Sequence, residues 1–188
     1  MELTQVLRRE HEIICDALRL LDTAATRLQQ GTPGAAEASR RLLEFFRSFA
    51  DENHHGKEEG ILFPALATVG LGPDGGPVAM MLSEHDEGRQ LLRSCGEALA
   101  SLDDRTTRQR FGEAARRYIS LLSQHIDKEN EILFRMADQL LGPEQCRAVD
   151  EACAAHQLAK PGETARWERL LGEMAALTSI KQGATVEG

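Results

Sequence analysis

The chain has 188 residues, 41% of them hydrophobic, and 22 Lys+Arg against 30 Asp+Glu give a formal net charge of −8. This length and apolar share suit one compact domain with a real core and exclude a disordered chain. The acidic excess, without a cluster of five or more basic residues, argues against nucleic acid or an anionic membrane as the principal partner. No run approaches the ~18 consecutive apolar residues that span a bilayer, and Met1-Glu2-Leu3-Thr4 lacks the basic start and apolar stretch of a signal peptide, so a cytoplasmic location is expected. Cys15, Cys95, Cys146 and Cys153 form no C-x-x-C pair, which leaves out a thioredoxin-type motif or a zinc ribbon. Aromatic residues are few, at six Phe, one Tyr and one Trp. Ala, Leu, Glu and Arg abound, and the composition predicts an all-α fold.

Leu7, Ile14, Leu18, Leu21, Ala25 and Leu28 recur at helical spacing until Gly31, Pro33 and Gly34 stop the pattern, predicting a first helix over about 4–30. The spacing resumes from Ala35 through Leu43, Phe46, Ala50, Ile61, Ala65 and Leu66, predicting a second helix over about 35–69 with a kink at Pro64. Gly70 to Pro77 is a loop, and Pro77 opens a third helix to about 102. Asp103 and Asp104 can cap a fourth, about 105–140, whose face carries Phe111, Tyr118, Leu122, Ile132, Leu133 and Met136. Four amphipathic helices with short connections predict an antiparallel up-down bundle over residues 1–142. Residues 143–188 form an appendage of two shorter helices split by Pro161-Gly162, with a frayed tail from about Thr178. These helices are expected to pack across the bundle or to pair two copies of the chain as a homodimer.

Two segments align without a gap: His54-His55-Gly56-Lys57-Glu58-Glu59-Gly60-Ile61-Leu62-Phe63 and His125-Ile126-Asp127-Lys128-Glu129-Asn130-Glu131-Ile132-Leu133-Phe134. Both read H-x-x-x-E followed by x-x-I-L-F. Positions i and i+4 share a helix face, so each pair aims an imidazole and a carboxylate the same way. Both pairs fall on the apolar stripe of their helix. His11 likewise interrupts the Leu7, Ile14, Leu18 stripe, and His85 the Val78, Leu82, Leu92 stripe. His11 and His85 come about two turns after their helix starts, while His54 and His125 each stand 15 residues before the expected ends at 69 and 140. Antiparallel packing therefore gathers all four histidines at one height. Burying Glu58 and Glu129 there would cost several kcal/mol without a compensating cation. The six side chains His11, His54, Glu58, His85, His125 and Glu129 are thus candidate ligands of two metal ions. A single inward His is more often a core residue, and a single H-x-x-x-E a surface pair, but six on four stripes make a site. The alternative pair His55/Glu59 has the same spacing. Alignment with His125/Glu129 and the stripe favour His54/Glu58, and His55 is expected to be dispensable.

With these residues in hand, positions 3–140 resemble the hemerythrin-like (HHE cation-binding) family, whose motifs read here as H…HHxKEExILFP…SEHDExR…HxxKENxILF. The resemblance implies a non-haem di-iron centre inside a four-helix bundle. In it His11, His54, His85 and His125 are terminal ligands, Glu58 and Glu129 bridge the irons, and an oxo or hydroxo group completes the bridge. Zinc or manganese suits the same ligand types. Oxygen-carrying hemerythrins have H-x-x-x-H on the third helix, whereas Arg89 follows His85 here. The four-His/two-Glu set looks more like bacterial proteins that repair damaged iron centres and like hemerythrin-type iron or oxygen sensors. The 188 residues include no cysteine-containing N-terminal domain of the kind common among those repair proteins.

Four protein ligands per ion plus the bridge leave an open position on each, where O2, NO or peroxide can be bound, sensed or reduced. Iron storage or donation for iron-centre repair is the alternative. A regulatory module that exposes residues 143–188 when iron binds is a third reading. Arg89 is read either as a stabiliser of a bound anion or as a solvated side chain. Tyr118 is a core residue by default, and Glu12 and Glu84 are surface residues unless one orients a ligand histidine. Cys146, Cys153 and His156 share a face that is more simply a packing face than a thiol metal site.

Overall fold

A computed structural model of the chain describes residues 1–102 and 104–180, with side chains through 175. Six helices account for it: α1 (Glu2–Gln29), α2 (35–67), α3 (Gly76–Ala100), α4 (105–140), α5 (Pro143–Ala159) and α6 (Glu163–Ile180), and no strand occurs among the described residues. The apolar stripe of α1, from Leu3 and Leu7 through Ala25 to Leu28, is buried. Gly31 and Gly34, at φ of 71° and 81°, supply the left-handed backbone that turns the chain into α2. Pro77 sits in the first turn of α3. Asp104 caps α4 by accepting from the Thr107 amide at 2.7 Å. Asp103, the other expected cap, lies outside the described residues. The backbone of α6 remains helical to Ile180, past the expected fraying at Thr178, and the rest of that tail also lies outside them.

Helix α1 packs on α2 and α4, and α3 packs on α4 and α2, which closes a four-helix bundle. Two helices are irregular. In α2 the hydrogen bonds shift to the wider i→i+5 pattern over Phe46–His55 and again over Glu58–Leu62, and α4 does the same over Glu129–Leu133. The two copies of E-x-x-I-L thus adopt the same widened turn. Pro64 lies in the first turn after the second widened stretch of α2. Its missing N–H falls where the hydrogen-bond register is already changing.

The appendage lies against the bundle of its own chain. Val149 and Cys153 of α5 join the apolar cluster of Leu3, Leu7, Leu62, Phe63 and Phe134. Trp167, Leu171 and Met174 of α6 join the other cluster, with Trp167 edge-on to Phe45 at 5.5 Å. Between these two apolar clusters runs a buried polar band: Glu10 and His11 of α1, Asn53, His54, His55, Lys57 and Glu58 of α2, His85 of α3, and His125 and Glu129 of α4. No helix among the described residues is long and apolar enough to cross a membrane.

Candidate metal centre

All four bundle helices deliver side chains to the band. The structure brings the six sequence-predicted residues together and adds His55 to them. Two groups of mutually close donor atoms result: His11, His54, Glu58 and Glu129, and His55, Glu58, His85 and His125. His55 enters because α2 is widened through Phe46–His55, which narrows the angle between neighbouring residues, so both His54 and His55 face inward and are buried. The His55 ring stacks on His85 at 3.8 Å.

Both carboxylates straddle the two groups. Glu58 has Oε1 3.5 Å from His54 Nε2 and Oε2 3.5 Å from His85 Nε2. Glu129 has Oε2 3.1 Å from His11 Nε2 and Oε1 3.3 Å from His125 Nε2. One oxygen toward each histidine set is the disposition a bridging carboxylate needs. The Nε2 atoms of His11, His54 and His55 and all four carboxylate oxygens are buried without a hydrogen-bond partner. His85 Nε2 and His125 Nε2 face each other at 3.1 Å. So many inward lone pairs without donors are costly in a protein interior and are satisfied by cations.

The outward nitrogens are all engaged. His54 Nδ1 meets Glu10 Oε2 at 2.9 Å, His85 Nδ1 meets Glu59 Oε1 at 2.7 Å, and His125 Nδ1 meets Glu84 Oε2 at 2.9 Å. His55 Nδ1 lies 3.4 Å from Asp51 Oδ1, and His11 Nδ1 lies 3.0 Å from the Asn130 amide oxygen. Carboxylate and amide oxygens only accept, so each Nδ1 donates, and each Nε2 is left as a lone pair aimed at the centre. A cation stands behind every acceptor. Lys57, fully buried, donates to Glu10 at 2.7 Å, and Lys128 donates to Glu84. Arg8 donates to Asn130, and Arg89 joins Asp51 at 2.8 Å to Glu59 at 2.6 Å.

Electrostatics follow from this wiring. Burial pushes His54 down to about 3 against the pull of Glu58, and burial beside the other imidazoles holds His55 well below its usual range. Burial opposes the proton on His125 as well, but Glu129 and Glu84 outweigh it and lift the group to about 10; Glu58 and Glu59 likewise raise His85. Glu129 is held well below the carboxylate range, its burial overcome by His125 and His11. Asp51 and Glu84 are lowered in spite of burial, by His55 with Arg89 and by His125 with Lys128 respectively, and Glu59 is lowered chiefly by His85. A metal ion held in the band would take the place of the protons that His85 and His125 attract.

The other flagged residues find plain roles. Arg89 clamps the carboxylates that orient His55 and His85. Glu84 orients His125, and Glu12 is exposed. Tyr118 is buried edge-on to Phe46 at 5.1 Å and, with Gly88, Leu121 and Leu122, lines a narrow cleft that reaches His55, His85 and His125. Among the described residues no metal-type group includes a cysteine. His156 of α5 instead meets the Asn53 oxygen at 3.2 Å. Sequence reasoning set His55 aside, though the adjacent His54-His55 pair was its signal. Glu59 had been weighed only as the partner of His55 in the alternative pair, and the orienting residues Glu10, Asp51 and Asn130 gave no signal, since nothing in their spacing separates them from solvated side chains.

A buried double cluster of imidazoles bridged by carboxylates within four helices defines a metal-binding bundle protein. The chain belongs to the hemerythrin family: residues 2–137 match the hemerythrin HHE cation binding domain. It is similar to the iron-sulfur cluster repair protein YtfE of Enterobacter sp. (strain 638), with 30% identity over 139 residues, and to those of Escherichia coli O81 (strain ED1a) and O1:K1 / APEC, with 29% and 28%. Each alignment covers 70% of this chain, which spans 63% of the length of these curated relatives.

Proposed function

We propose that the protein holds two iron ions, one among His11 and His54, the other among His55, His85 and His125, with Glu58 and Glu129 bridging them and an oxo or hydroxo group between, and that it serves the repair of damaged iron–sulfur centres by supplying iron. The observation that carries the reading is the inward set of buried, unpartnered Nε2 and carboxylate atoms on two groups that share Glu58. The names of the similar proteins support the repair role. In this reading residues 1–142 carry the centre and helices α5 and α6 brace it. Bound iron would supply redox and Lewis-acid chemistry, while the protein orients the imidazoles through its outer carboxylates and keeps bulk water out with its two apolar clusters. The test is iron content per chain after anaerobic reconstitution, followed by incubation with a protein whose iron–sulfur cluster has been oxidatively damaged. Two irons per chain and recovery of the cluster spectrum are expected. Failure to bind iron, or binding without recovery, overturns the respective half of the reading.

A second reading, binding or reduction of O2, NO or peroxide, is favoured by the cleft beside His55, His85 and His125. Spectral change of the iron-loaded protein on adding each molecule is the expected result, and an unchanged spectrum with all three rejects it.

A further inference from the structure

The two halves of the centre are wired to unequal surroundings. On the His11/His54 side, His54 rests on the Glu10 carboxylate but His11 rests on the neutral amide oxygen of Asn130, with Arg8 and Lys57 behind them. On the other side His55, His85 and His125 each rest on a carboxylate, Asp51, Glu59 and Glu84, with Arg89 and Lys128 behind. One anion with two cations sums to +1 around the first position, and three anions with two cations sum to −1 around the second. Lys57 has no solvent exposure, so its charge is poorly screened. An imidazole that donates to a carboxylate is a more basic ligand than one that donates to an amide. With Glu58 and Glu129 each straddling both groups, the imidazole count runs the same way, two against three. The orienting groups and the imidazole count therefore both disfavour a cation at the same position.

We propose that the His55/His85/His125 position fills first and holds its ion, that the His11/His54 position is the weaker, exchangeable one, and that Asn130 is the positioning residue that keeps it so. The inference rests on the two-ion reading above and deepens it, because the exchangeable position is the one from which iron would be supplied.

The test is a titration of the metal-free full chain with Fe2+ under anaerobic conditions, followed by calorimetry, and with Co2+, followed by visible absorption. Two steps separated by at least about tenfold in Kd are expected, given that the groups orienting metal-bound histidines change affinity by about 10–100-fold. Asn130→Asp, nearly isosteric and still facing Arg8, should tighten the weaker step by about tenfold and leave the first alone. Glu84→Gln should weaken the first step by about 10–100-fold, and Asp51→Asn should do the same if Glu84→Gln fails to give the helical circular dichroism of the parent. Two equal steps overturn the inference, as does an Asn130→Asp change that falls on the tighter step or on neither. Equal steps with iron still transferred would sink this inference alone. Unequal steps with no transfer would sink only the supply role.

Discussion

Glu58 and Glu129 each face two histidine sets, so removing either carboxylate disturbs both positions at once. Glu58→Ala and Glu129→Ala should lower metal content toward one ion per chain or none, as read by elemental analysis, and two full ions in both variants would contradict bridging. His55→Ala removes an imidazole from the three-histidine group and should cost metal there by the same measurement, against the dispensable role its spacing suggested. Arg89 acts at one remove. Arg89→Ala frees Asp51 and Glu59, and metal affinity at the His55/His85/His125 position should fall by about 10–100-fold while the helical content is kept. Six residues of the buried cluster were legible in the sequence because each is a polar residue on an apolar stripe, a cost that persists in a folded protein only with a compensating partner. His55 was not, because a helical wheel of constant pitch turns it off the stripe.

At the scale of elements, the helices could be drawn closely from periodicity and from Gly and Pro, and α2 and α4 match the expected spans at most positions. Their widened turns could not, since hydrogen-bond register within a helix depends on what the side chains must reach across the bundle. The role of α5 was equally hidden. Its Asp150 accepts from the Glu2 and Leu3 amides, at 3.2 and 2.9 Å, and so caps α1, whose own N-terminal residue supplies no side-chain cap. Asp150→Ala should therefore cost about 1 kcal/mol in urea unfolding of the full chain. Trp167 fills the cluster under α6 and is 2% exposed. Trp167→Ala should destabilise by roughly 3–5 kcal/mol in the same assay, the usual range for emptying such a site.

The whole molecule places its least stable chemistry in its interior: the carboxylates of Glu10, Glu58 and Glu129 and five imidazoles between two apolar clusters. An ion bound only by the folded chain stabilises it by mass action, and its removal exposes the cost of the band. Stripping the metal with a chelator should lower the thermal midpoint of unfolding and restoring it should raise the midpoint again; an unchanged midpoint would mean that the band is satisfied without an ion. By itself the sequence determined the all-α class, the number of bundle helices and six of the residues at the centre, because apolar periodicity is local and a polar residue that interrupts it is visible along the chain. Only the tertiary structure decided that His55 joins them, that His11, His54, His85 and His125 are each braced by an acceptor from another helix, and that the two sides differ in charge. Those relations join residues far apart in the chain, such as His11 with Asn130 and His125 with Glu84. No spacing within one helix encodes them.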